Sequence, residues 1–201
     1  TSIAGTGGIS AALDDFFNQF QEVAASPDDV NQQIVLLEKA RTLVSAINSA
    51  DARLTAVDSD VEAKILDDVS EANRLLEHIA SLNEEIDRFE LGGRVTANDL
   101  RDKRQAALED LAMLINFETA DGGNSPGDLQ IFMRDSSDNP VTLVDGRNYV
   151  EGLTYAFSIN LLITSQNSTS VGVTGGSISG GMQTRSGIVA NMRSRSEEHT
   201  S

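Results

Sequence analysis

From Asp28 to Leu91 the chain runs 64 residues without a glycine or a proline, although it holds 16 glycines and three prolines elsewhere. Gly costs a helix interior about 1 kcal/mol and Pro about 3, so a stretch free of both reads as one helix. At about 1.5 Å per residue it would extend roughly 95 Å if unbroken. Its pattern supports that reading. With Val30 as heptad position a, the a series is Val30, Leu37, Val44, Asp51, Asp58, Ile65, Ala72, Ile79 and Ile86. The d series is Gln33, Ala40, Ile47, Leu54, Val61, Asp68, Leu75, Leu82 and Phe89, and 14 of the 18 positions are apolar, enough to make a packing seam. Asp51, Asp58 and Asp68 interrupt it, which predicts a bend or a solvent-exposed waist. Outside the seam few large apolar residues are expected at the surface, so lateral contacts are expected to be polar or modest.

Shorter helices flank this rod. Ile9, Leu13, Phe16, Phe17, Phe20 and Val23 recur at helical spacing and predict a helix over about 10–25. Ser26-Pro27 ends it, because the residue before proline avoids helical geometry, and Asp28 and Asp29 favour the next helix start through its dipole. Gly92-Gly93 closes the long helix. Leu100, Ala107, Leu108, Leu111 and Leu114 mark a third helix over 98–114. Beyond it, short segments at 115–119, 129–133, 141–144, 155–163 and 171–174 lie between Gly-, Asp- and Pro-rich turns, the pattern of a small antiparallel β unit. A short helix is expected over about 182–192. Arg193–Ser201 fits neither pattern, resembles translated adaptor sequence, and is left out of the fold reading.

Composition narrows the function. The 31 acidic and 15 basic residues give a net charge of −16, which excludes a phosphate-backbone ligand and an anionic membrane surface. Without cysteine there is no disulfide, thiolate metal site or cysteine nucleophile. His78 stands alone on the long helix, with no second histidine at helical spacing to form a metal pair, and is read as an ordinary helix residue. The acidic pairs Asp14-Asp15, Asp28-Asp29, Asp67-Asp68, Glu84-Glu85 and Glu109-Asp110 diverge around their helices by about 100°. They are read as solvated faces, not acid–base pairs. The turn from Asp135 to Pro140 has proline where a calcium loop needs glycine. The clusters Gly5–Gly8 and Gly175–Gly181 lack the lysine of a phosphate loop. Ser70 and Ser81 lack a nucleophile-elbow context. Asn167-Ser168-Thr169 matches a glycosylation triplet, a pattern common by chance. No catalytic, cofactor-binding or metal-ligating residue is expected.

Four segments, taken in order, are together distinctive: Gly8-Ile-Ser-Ala-Ala-Leu-Asp-Asp-Phe-Phe-Asn-Gln-Phe20, Ile79-Ala-Ser-Leu-Asn-Glu-Glu-Ile86, Ala97-Asn-Asp-Leu-Arg-Asp-Lys-Arg104, and Gly175-Gly-Ser-Ile-Ser-Gly-Gly-Met-Gln-Thr-Arg185. Over residues 5–190 the chain resembles the bacterial flagellar hook-associated protein 1 (FlgK) family of hook–filament junction proteins. The resemblance implies an α+β fold: a long antiparallel helical bundle with a small antiparallel β insertion near the C-terminal end. The expected parts are a bundle over 1–114, a β domain over 115–176, a return helix over 177–192 and a non-native tail over 193–201. It implies a secreted structural component of the flagellum, not an enzyme, without cofactors. The expected neighbours are hook protein, hook-associated protein 3 and further copies of itself in a ring, with no nucleic acid and no membrane. The family's terminal helices and chaperone-docking segment are expected outside these residues. The alternative is a coiled-coil or β binding module, an adaptor or adhesin-like protein.

Overall fold

The computed structural model describes residues 6–91, 96–122, 125 and 127–198. Four helices, α1 (Thr6–Ala25), α2 (Val30–Glu90), α3 (Asn98–Leu114) and α4 (Gly176–Glu198), frame six strands: β1 (Glu118–Asp121), β2 (Leu129–Arg134), β3 (Pro140–Asp145), β4 (Asn148–Tyr149), β5 (Leu153–Ala156) and β6 (Leu161–Thr164). The breaker-free segment is therefore one helix of 61 residues. Asp29 starts it, its Oδ1 accepting the backbone N–H of Asn31 at 2.9 Å, a side-chain cap for a donor the helix itself leaves unpaired. The fold is the expected α+β arrangement, with small antiparallel sheets toward the C-terminal end.

The chain divides within α2 into two compact units, residues 1–59 and 60–201. In the first unit Ile9, Ala12, Phe16 and Val23 of α1 and Leu36, Leu43, Ala46 and Ile47 of α2 are half-buried. Gln19 Nε2 donates to Gln32 Oε1 at 2.6 Å and Lys39 pairs with Asp15 at 2.7 Å. No described side chain of this unit is fully buried. The boundary falls at Ser59–Asp60, and full burial along α2 begins a turn or two later, at Ile65.

The second unit holds the core. Ile65, Ala72, Leu76 and Ile79 of α2, Leu111 of α3, Ile131 and Met133 of β2, Leu143 and Val144 of β3, Leu162 of β6 and Ile178 of α4 join one buried cluster. The β segments therefore share their core with the helices. β1 to β4 make an antiparallel meander in sequence order, with a bulge between Ile131 and Phe132. Along β2, Ile131 and Met133 are buried while their neighbours are half-buried, as expected when one face of the sheet meets the core.

Several expected boundaries move, each for a local reason. The first strand starts at 118, not 115, because Ile115 ends α3 as its buried last position, its N–H bonded to Leu111. The expected strand 155–163 is a hairpin: a 3-10 turn over Phe157–Ile159 and Asn160 at φ 51° reverse the chain, so that Ala156 pairs with Leu161. The segment 171–174 forms no strand; Val171 makes an isolated bridge to Asp135. The last helix begins at 176, not 182, and its backbone continues to 198 through residues expected to lie outside the fold. Gly176 enters at φ +79° against the Leu114 carbonyl, and a Cβ on Gly181 would meet Ile65 Cγ1 at 2.7 Å, so these glycines serve close helix packing, not helix breaking.

Candidate functional site

What the second unit builds from its polar residues is a set of locks between α2 and the segments around it. Asn73 receives the Leu153 N–H on Oδ1 at 2.8 Å and donates from Nδ2 to the Leu153 carbonyl at 2.8 Å, so one amide satisfies both backbone groups of a β5 residue. Three turns along, Asn83 donates to the Gly146 carbonyl at 2.6 Å and to that of Leu129 at 3.2 Å. Its Oδ1 accepts from Arg104 of α3 at 2.8 Å. Gly127 crosses so close that a Cβ would sit 2.1 Å from the Asn83 carbonyl. Burial, together with the charge of Arg101, pushes the Arg104 guanidinium below its ordinary value.

Asp68 is the residue that departs most from expectation. It stands at a d position read as a solvent-exposed waist, yet it is only 4% exposed. Lys64 pairs with one oxygen and the Ser177 hydroxyl of α4 donates to the other at 2.7 Å. At the far end of α2, Glu90 accepts the Ala97 N–H at 2.7 Å and two donors of Arg101 at 2.9 and 2.7 Å. The Arg101 guanidinium first, and then the Ala97 N–H, hold the Glu90 carboxyl down at about 2.

Two further locks serve the β unit. Glu151 accepts the N–H groups of Gln166 and Asn167, each at 2.9 Å. Burial pushes its carboxyl up, and these donors with Thr164 more than reverse the effect. Arg185 of α4 donates to the Phe157 carbonyl at 2.7 Å and to Tyr155 Oη at 3.1 Å, and lies 3.6 Å over the Phe157 ring. A sequence signal for Asp68 existed, a lone carboxylate within an otherwise apolar seam. For Asn73 and Asn83 there was none, because nothing local marks which helix polar residue will meet a backbone edge 46 to 80 residues away.

The first unit offers a surface of the opposite kind. Val30, Leu37 and Val44, three of the a positions, are 62%, 60% and 55% exposed, and Leu13, Phe17, Phe20, Ile34 and Val35 are exposed with them. An open groove follows Leu37, Ala40, Arg41, Val44, Asn48 and Ala52. The expectation of few apolar residues at the surface is thus corrected. The seam is buried from Ile65 to Ile86, whereas before that its a positions Val30, Leu37 and Val44 are exposed and its d positions Ala40, Ile47 and Leu54 only half-buried.

The residues weighed for chemistry are dispersed. His78, Ser70 and Ser81 are exposed on α2. Asp135 binds its own turn, accepting the N–H groups of Ser137 and Asn139 at 2.8 Å. The amide of Asn167 is tied to Glu151 at 3.0 Å. Gly5 lies outside the described residues, and Gly8 is inside α1. A cleft lined by Asn83, Asp87, Asp128, Asp145 and Arg147 carries a buried Asp87 Oδ1 without a hydrogen bond. Among the described residues no three metal-ligating side chains come together, and no helix is long and apolar enough to cross a membrane.

Comparison with known proteins agrees with this architecture. Flagellar hook-associated protein 1 of Bacillus subtilis (strain 168) is 27% identical over 150 residues, 71% of this chain and 29% of that protein. The protein of the same name from Salmonella typhimurium is 30% identical over 118 residues, 57% of this chain and 21% of that one. The chain therefore spans less than a third of the length of these curated relatives. The solved flagellar hook junction protein FlgK from Burkholderia pseudomallei shares the fold at a TM-score of 0.71 and 23% identity, over 90% of this chain and 34% of that one. The family model described as the flagellar hook-associated protein FlgK helical domain matches residues 2–199, and the chain belongs to that family.

Proposed function

We propose that these residues are the helical domain, with its β insertion at 115–176 and return helix at 177–192, of a structural protein that joins hook to filament in a bacterial flagellum. The observation that carries the reading is the family match over residues 2–199. The protein is exported through the flagellar apparatus and works outside the cell, without catalysis. In the full-length protein its neighbours are hook protein, hook-associated protein 3 and copies of itself in a ring.

The packing is consistent with a mechanical role. The half-buried Asn73 and the buried Asn83, Asp68 and Glu90 are all hydrogen-bonded to neighbouring segments, and such a network resists shear because breaking any bond leaves a desolvated partner. A stalk self-associating through the whole heptad seam, the binding-module alternative, would need Ile65 to Ile86 free, and those positions are buried in their own chain.

The test is complementation. The full-length gene carrying this segment is placed in a bacterium lacking its own hook-associated protein 1. Filaments on the hooks and restored swimming are expected. Bare hooks, with filament subunit lost to the medium despite secretion of the introduced protein, would overturn the assignment.

A further inference from the structure

The turn between β2 and β3 holds a feature that neither the core nor the flagellar role uses, an asparagine followed by proline, Asn139-Pro140. Asp135 contacts Asn139 in three ways. Its carboxylate accepts the side-chain amide, Nδ2, at 3.1 Å on Oδ2 and 3.3 Å on Oδ1. The same carboxylate accepts the Asn139 backbone N–H at 2.8 Å. In return the Asp135 N–H donates to the Asn139 carbonyl at 2.9 Å, and the carbon of that carbonyl bears the bond to Pro140. Residues 136–140 are exposed.

An asparagine ordinarily rearranges when the next backbone nitrogen attacks its side-chain carbonyl, a route closed here because Pro140 has no N–H. The opposite attack, of Nδ2 on the residue's own carbonyl carbon, stays open and closes a five-membered ring within one residue. Two kinds of group assist such a step. One is a carboxylate in hydrogen-bond contact with the attacking nitrogen, to receive its proton. The other is an N–H on the carbonyl oxygen, where negative charge develops. Asp135 supplies both.

We infer that Asp135 to Pro140 is a self-cleavage site, at which the folded chain cuts its own Asn139–Pro140 bond. Nδ2 bonds to the Asn139 carbonyl carbon while Asp135 takes one of its two protons. The bond from that carbon to the Pro140 nitrogen then breaks, and the proton passes to this nitrogen, which leaves as a secondary amine. Asn139 ends as a C-terminal succinimide. No water, oxidant or reductant is consumed, and Asp135 is returned ionised. The β2–β3 pairing from Gln130–Asp145 to Arg134–Pro140 spans the cut, and Ile131, Met133, Leu143 and Val144 stay in the shared core, so the two pieces remain together.

The full chain, incubated at neutral pH and followed by intact-mass spectrometry, tests this. Two fragments are expected, the second beginning at Pro140, with masses that sum to that of the uncut chain. They should separate only in denaturant. Asn139→Ala should abolish the cut. Asp135→Asn keeps an oxygen for the backbone N–H groups but not the base, and should slow the cut about 100-fold. The wild-type chain in urea, where the turn contacts are lost, should cleave at least about tenfold more slowly. A chain that stays whole for several weeks, a rate unchanged in Asp135→Asn, or equal rates folded and in urea would each overturn the inference.

Discussion

Asn83 shows how much one side chain can organise. Two carbonyls and one guanidinium depend on its amide, so Asn83→Ala is expected to lose about 1–3 kcal/mol, the usual range when buried partners are left unpaired, measured by urea unfolding. Gly127→Ala should cost more than that, since its Cβ would overlap the Asn83 backbone carbonyl and helix and loop would have to separate. Glu90 gives the pH signature. Its folded-state value of about 2 lies below the ordinary 4.5, so it stabilises the fold above pH 4.5, and that contribution is lost as pH falls toward 2. The melting-point gap between wild type and Glu90→Gln should therefore be full at neutral pH and close across that window. A gap unchanged at pH 2 would refute the assignment. None of these three residues stood out in the sequence as a lock, because each is defined by a partner in another segment of the fold.

At the scale of the element, α2 was legible and its environment was not. The absence of glycine and proline predicted the helix to within two residues at each end, since nothing within the segment opposes helical geometry. The heptad marked which positions are apolar but not which are covered: Ile79 is buried and Val44, in the same series, is exposed. Periodicity records a stripe, and burial depends on how many neighbours arrive. The β segments 129–133 and 141–144 were found because short apolar runs lie there between turn residues, with alternation as well at 129–133. Phe157–Leu161 alternates equally well and is a turn, because Asn160 takes a left-handed conformation and a period of two cannot register it. Leu76→Ala, at a fully buried α2 position, is expected to cost about 2–5 kcal/mol. Leu37→Ala, on the open stripe, should cost about 0.5 kcal/mol or less in the monomer; both are read from chemical denaturation.

For the whole molecule, buried polar residues such as Asn83, Asp68 and Glu90 hold segments of the fold together. The family and its fold class could be read from four short motifs because their order and spacing preserve a topology, even where individual positions differ. The two-unit division could not be read, since the heptad passes through Ser59–Asp60 without a change of phase. Gly181, seated against Ile65, carries one last consequence. Its missing side chain lets α4 and α2 approach at the level where the buried seam begins, so a single methyl there would act as a wedge. Gly181→Ala would pry the returning helix away from Ile65, turning a fixed anchor point into an adjustable one.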